Sequence, residues 1–162
     1  MGHAVKPVPE GTHTITPSLV IKGAADAIAF YIKAFGAQEL YRMSCPQTGA
    51  IMHAELQIGD SKLMLSDEFP GHHCLGPVAI GGSPVTLHLY VDDVDATYQQ
   101  AIDAGATATM PPSDMFWGDR YGKLVDPFGH NWGLATHIED VPPEQMHERM
   151  KSAMSAMAPA AS

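Results

Sequence analysis

A short unit occurs twice in this chain, about seventy residues apart, and no other feature constrains the fold so tightly. Leu19-Val20-Ile21-Lys22-Gly23-Ala24-Ala25-Asp26 leads into a stretch with helical spacing that ends at Phe35-Gly36-Ala37. Leu89-Tyr90-Val91-Asp92-Asp93-Val94-Asp95-Ala96 leads into another that ends at Ala104-Gly105-Ala106. The register continues, because 58–66 precedes 128–136 by the same interval. Two copies point to a fold made by duplication, not to an open solenoid array. Two half-sheets of that origin tend to enclose a space between them.

The chain of 162 residues is one domain's worth, long enough for a hydrophobic core, and 45% of it is apolar. Its net charge of −9, with only nine Lys and Arg, excludes nucleic acid as a partner, since neutralising phosphates needs clustered cations. The acidic balance serves solubility or attracts a cationic ligand. Cys45 and Cys74 form no CxxC pair and fit a reducing cytosol better than a disulfide framework. No apolar run approaches the roughly 18–20 residues of a membrane span, and no signal-peptide core is present. The expectation is a soluble cytoplasmic domain with no membrane partner.

Along the chain, residues 1–11 read as an extended arm, broken by Pro7, Pro9 and Gly11. Alternation over 12–21 predicts a half-buried strand. Ala25, Ile28, Ile32 and Phe35 then predict a helix stopped by Gly36. Strands follow over 38–44, 50–58 and 62–66, the last two joined by a turn at Gly59-Asp60. After a Gly/Pro-rich linker at 68–84 the order repeats: strand 85–91, helix 94–104, strand 106–110, a loop over 111–120, and strands 121–125 and 130–137. Each half is βαβββ, with module one at about 12–67 and module two at about 85–137. Beyond Pro142-Pro143, residues 138–162 read as a helix and tail. Met146, Met150 and Met154 form a stripe there that suits docking on the core or on a partner subunit better than metal binding.

Strand alternation also locates the chemistry. Leu87, Leu89 and Val91 share one face, and Thr86, His88 and Tyr90 the other. Ala54, Leu56 and Ile58 oppose His53, Glu55 and Gln57 in the same way. Helices must cover the apolar faces, so Thr16, Ser18 and the polar members line a wet cleft. His53 and Glu55 read equally as a solvent-facing cross-strand pair, and His88 alone as a hydrogen-bonded structural histidine. If their strands converge, His53, Glu55 and His88 make a three-ligand zinc or iron site. His72 and His73 are expected exposed, and His130 is expected to cap its turn. Phe116, Trp117 and Arg120 sit in an aromatic loop with Asp119 that suits either a cleft wall or an apolar plug with an Asp–Arg turn. No GxSxG, Walker, GxGxxG or HExxH motif is present.

Phe30-Tyr31 with Ala34-Phe35-Gly36, Val91-Asp92-Asp93-Val94-Asp95 and Asp126-Pro127-Phe128-Gly129-His130-Asn131-Trp132 together resemble the vicinal oxygen chelate superfamily of glyoxalases, extradiol dioxygenases, and fosfomycin and bleomycin resistance proteins. Phe116-Trp117-Gly118-Asp119-Arg120-Tyr121-Gly122 is similar to its PhnB-like branch. The resemblance spans residues 12–137. It implies an α+β fold of two βαβββ modules forming an incomplete barrel, usually in a homodimer, plus here the C-terminal helix. Metal-dependent members place ligands on the first and last strands of each half. The matching positions are Thr16, Thr86, Leu63 and Gly133, none of them a competent ligand.

The expected function is therefore a dimeric small-molecule-binding protein of the bleomycin-resistance type, with no cofactor. Its small organic ligand would be held by His53, Glu55, Gln57, His88, Tyr90, Phe116, Trp117 and Arg120. The alternative is a glyoxalase-like lyase or dioxygenase with a divalent metal relocated to His53, Glu55 and His88, and a third reading is a dimerising partner module. The sequence leaves open whether any reaction is catalysed.

Overall fold

A computed structural model describes residues 5–157, so the first four residues of the expected arm and the end of the tail lie outside the described residues. The first half comprises β1 (Ser18–Ile21), α1 (Ala24–Phe35), β2 (Gln38–Ser44), β3 (Ile51–Ile58) and β4 (Ser61–Asp67). A 3-10 turn at Pro70–His72 and the one-turn helix α2 (Pro77–Ile80) occupy the linker. The second half comprises β5 (Thr86–Tyr90), α3 (Val94–Ala104), β6 (Thr107–Asp114), β7 (Asp119–Val125) and β8 (Asn131–His137), and α4 (Pro143–Met157) follows.

Each half forms an open four-stranded mixed sheet, ordered β1-β4-β3-β2 in one and β5-β8-β7-β6 in the other. The first and last strands of each half pair in parallel, and the remaining pairs are antiparallel. Two sequence expectations change. Of the strand read over 12–21, only Ser18–Ile21 enters the ladder. Conversely, β6 runs on through Pro111 and Pro112 to Asp114, which an edge strand permits because prolines there need not donate.

The helix ends follow from their glycines. Gly36 (φ 66) and Gly105 (φ 119) adopt the left-handed conformation that closes α1 and α3. At the N-terminus of α1, Gly23 has no side chain to cap with. The Asp67 carboxylate of β4 substitues for it, accepting from Gly23 N (3.1 Å) and Ala24 N (2.8 Å), and also from Ile51 N (2.7 Å). In the second half Asp93 caps α3 by accepting from Ala96 N, while Thr136 of β8 accepts from Val94 N.

The two helices pack on each other, α1 against the first sheet and α3 against the second. Gln100 of α3 donates to the carbonyls of Lys33 and Ala34, tying α3 to the last turn of α1. One continuous core results, with Ile21, Ile28, Tyr31, Leu56 and Leu65 from the first half and Val94, Leu124, Trp132 and Leu134 from the second. Trp132 lies 5.3 Å from Tyr31 and 4.6 Å from Phe35, ring centre to ring centre. His130 is buried, its backbone N–H on the Asp126 carboxylate and its ring 3.3 Å from the Val20 carbonyl. His72 and His73 are exposed. With the helices between them, both sheets turn their other faces outward. α4 buries no residue completely, and Met154 on its methionine stripe is 64% exposed.

Candidate functional site

The outward face of the second sheet carries a row of rings. His88 of β5 pairs in register with Gly133 of β8, and Tyr90 with Ala135, which in turn faces Tyr121 of β7. A Cβ at Gly133 would sit 2.9 Å from the Tyr121 ring and 3.1 Å from His88 Nδ1. The missing side chain thus lets the two rings meet over the strand between them, stacked at 5.5 Å and 21°. Tyr90 packs edge-on against His88 at 4.7 Å. Trp117 meets Tyr121 at 5.9 Å, and Phe116 meets Trp117 at 5.1 Å.

Asp119 organises this row from below. Only 5% exposed, it accepts from Trp117 Nε1 (3.0 Å), the Tyr90 hydroxyl (3.2 Å) and His137 Nδ1 (2.8 Å). Burial alone would raise its pKa, but the hydrogen bonds from His137, Trp117 and Tyr90 outweigh it and hold the carboxyl below its usual range. At His88 the burial of the ring prevails over the pull of Asp119, so this imidazole lies below the ordinary histidine value and presents a neutral ring.

The first sheet presents a polar outward face. His53 Nε2 lies 3.4 Å from Glu55 Oε1, Lys62 Nζ lies 3.9 Å from Glu55 Oε2, and Gln57 donates to the Gly59 carbonyl. Ser18 pairs with Met64 on the same sheet. The structure therefore gathers His88 and Tyr90 of the second sheet with Phe116 and Trp117 of its β6–β7 turn, and leaves His53, Glu55 and Gln57 on the first sheet. Arg120 joins neither group. Neighbours along a strand point to opposite faces, so Arg120 turns away from Asp119 and reaches the Asp95 carboxylate of α3 (2.6 and 2.8 Å) and Asp114 (2.9 Å). Asp119, Tyr121 and His137 complete the ring-lined face, and their signal in the sequence was the period of two through Asp119 and Tyr121 in a strand that begins two residues earlier than expected.

Between the modules lies a cleft of about 1020 Å³, bounded by the free edge of β5, residues 13–17, the β3–β4 turn and α3, with Phe35 and Trp132 on its walls. Thr16, Thr86, His88 and Tyr90 line it.

A sequence-family model described as the Glyoxalase/Bleomycin resistance protein/Dioxygenase superfamily matches residues 12–134. The chain belongs to this superfamily. An uncharacterized protein of Mycobacterium bovis is 45% identical over 141 residues, covering 85% of this chain and 92% of that one. The crystal structure of TioX from Micromonospora sp. ML1 superimposes with a TM-score of 0.62 at 27% identity, covering 78% of this chain and 99% of TioX. A PhnB protein from Bacillus cereus shares the fold, with a TM-score of 0.61 at 19% identity and 76% and 99% coverage.

The metal positions of the superfamily do not fit a metal here. Leu63 faces inward and is 5% exposed, so the outward residue at that level is Met64. The space above Gly133 is filled by the Tyr121 and His88 rings, and the Thr16 hydroxyl donates to the His13 carbonyl. Nor does the chain bring His88 to His53 and Glu55, which lie on the other sheet. Among the described residues no group of three or more His, Cys, Asp or Glu is placed to hold a metal ion. No helix among them is long and apolar enough to cross a membrane.

Proposed function

We propose that this protein binds a small organic ligand against the ring-lined face of its second sheet, as a cytoplasmic homodimer of the glyoxalase/bleomycin-resistance type, without the usual metal. The observation that carries this reading is the platform of His88, Tyr90, Trp117 and Tyr121 braced by the buried Asp119. Four partly exposed rings held in fixed orientation offer stacking area at little cost in side-chain entropy. Each chain leaves the edges of β1 and β5 free and exposes Tyr41, Met43 and Tyr90. In the homodimer the first sheet of one copy closes over the second sheet of the other, placing His53, Glu55 and Gln57 opposite the rings. Glu55 and the net charge of −9 favour a basic ligand. Sequestration requires nothing further of the protein than this cleft.

The chain has two tryptophans, of which Trp132 is buried and Trp117 stands in the platform, so Trp117 emission reports occupancy. Titration with a panel of basic glycopeptide antibiotics is expected to quench it with micromolar or tighter affinity. Tyr121→Ala should weaken the binding about tenfold. Silence across the panel defeats the sequestration reading. Near-stoichiometric metal in protein purified without a histidine tag, measured by mass spectrometry, would overturn the metal-free one.

A further inference from the structure

Both ring nitrogens of His137 face carboxylates: Nδ1 lies 2.8 Å from Asp119 Oδ1, and Nε2 lies 2.9 Å from Asp140 Oδ1. A neutral imidazole carries one N–H and can donate to only one of them, so both bonds are made only by the imidazolium. The two acceptors are unlike. Asp119 is buried beneath the rings, whereas Asp140 is fully exposed in the segment leading to α4. We infer that His137 is a proton-operated latch, joining the ring platform to the segment that leads into the C-terminal helix.

When the proton leaves, the buried Asp119 has no water to replace a lost donor, so the remaining N–H stays with it. The bare Nε2 lone pair then faces the Asp140 carboxylate, and the Asp140 side chain, already in water, swings away from the ring. The segment keeps its other ties, with Ile138 N and Glu139 N donating to the Gly118 carbonyl and Arg149 Nη1 to Glu139 (2.7 Å). Because α4 buries no residue completely, it depends on such ties, and losing one loosens the helix.

The charged groups against His137 are Asp119 from β7 and Asp140 from the segment; Tyr90 of β5 donates to the same Asp119, and Arg149 of α4 is held by Glu139. Carboxylates dominate, and hydrogen bonding to Asp119, then to Asp140, holds the imidazole above its ordinary value of about 6.5. A raised folded-state value fixes the sign. The latch is fully closed below the unfolded pKa and opens as pH rises through the folded one. His88, shifted downward, is already neutral across that interval and does not confound it.

The latch goes beyond the ligand reading, and its test uses no ligand, so either can fail alone. Backbone hydrogen exchange would be followed from pH 6 to 9, corrected for intrinsic rates, with the His137 ring titration monitored by NMR. Protection over residues 139–157 is expected to fall about threefold through that titration, while β7 and β8 keep theirs. Asp140→Asn, whose exposed amide accepts from the charged ring and donates to the neutral one, should show no such step. Protection that is flat in the wild type, or that steps equally in D140N, overturns the proposal.

Discussion

Replacing Asp126 by Ala is expected to destabilise the fold by about 3–5 kcal/mol, read as a lower urea midpoint at unchanged slope. The carboxylate is 4% exposed and accepts four hydrogen bonds: from the Tyr31 hydroxyl (2.7 Å), Trp132 Nε1 (2.9 Å), and the backbone N–H groups of Phe128 and His130 (2.9 Å each). Tyr31 belongs to α1, whereas the other three donors belong to the β7–β8 turn and β8, so one side chain fastens the first half to the second. Alanine strands all four donors, three of them in buried bonds, and each buried stranded group costs more than a hydrogen bond normally contributes. Tyr31→Phe removes a single donor from an acceptor with three left and should cost about 1 kcal/mol. Burial, reinforced by the Asp126 charge, raises the Tyr31 pKa, so the hydroxyl remains a donor into strongly alkaline solution. A D126A cost no larger than that of Y31F would contradict the role assigned to this carboxylate.

The duplicated unit made the βαβββ order and the glycine-stopped helices legible, because both depend on local periodicity and backbone conformation. Pairing depends on partners that the periodicity does not name. Residues 12–16 alternate as a strand should, yet they find no neighbouring edge, whereas Pro111 and Pro112 resemble a loop and lie in an edge strand. The fixed interval of seventy residues also misled at one point. It aligns Leu63 with Gly133, but Ser18 pairs with Met64 while His88 pairs with Gly133, so the copies are one residue closer together there. A slip of one residue exchanges the faces of a strand, which is why Leu63 points into the core. The site follows the same division. Alternation placed His88 and Tyr90 on one face, and the aromatic loop marked Trp117. The bond between Asp119 and His137 crosses two strands eighteen residues apart in the chain. The Tyr121 stack depends on a side chain that Gly133 lacks, and an absent side chain carries no chemical signature.

Two glycines beside the rings are expected to separate stability from binding. Gly118, between Trp117 and Asp119, has φ +99, and a Cβ there would collide with the Glu139 carbonyl oxygen and lie 3.0 Å from Val141 Cγ2. Its own carbonyl accepts from Ile138 N and Glu139 N. Ala at this position meets both an unfavourable backbone conformation and a backbone obstacle that no rotamer change relieves. Gly118→Ala should therefore cost about 2–4 kcal/mol and push residues 138–141 off the turn, shifting Trp117 emission towards that of an exposed indole. Gly133 needs no left-handed conformation, and the atoms its Cβ would crowd are side-chain ends of Tyr121 and His88. Those rings can move apart, so Gly133→Ala should cost about 1 kcal/mol or less while splitting the stack and weakening ligand binding about tenfold. Unfolding curves and Trp117 titrations on the two variants are the decisive pair. If Gly133→Ala bound ligand as the wild type does, the stacked rings would not be the surface the ligand uses. If Gly118→Ala proved as stable as the wild type, residues 138–141 would not be clamped to the turn that carries Trp117.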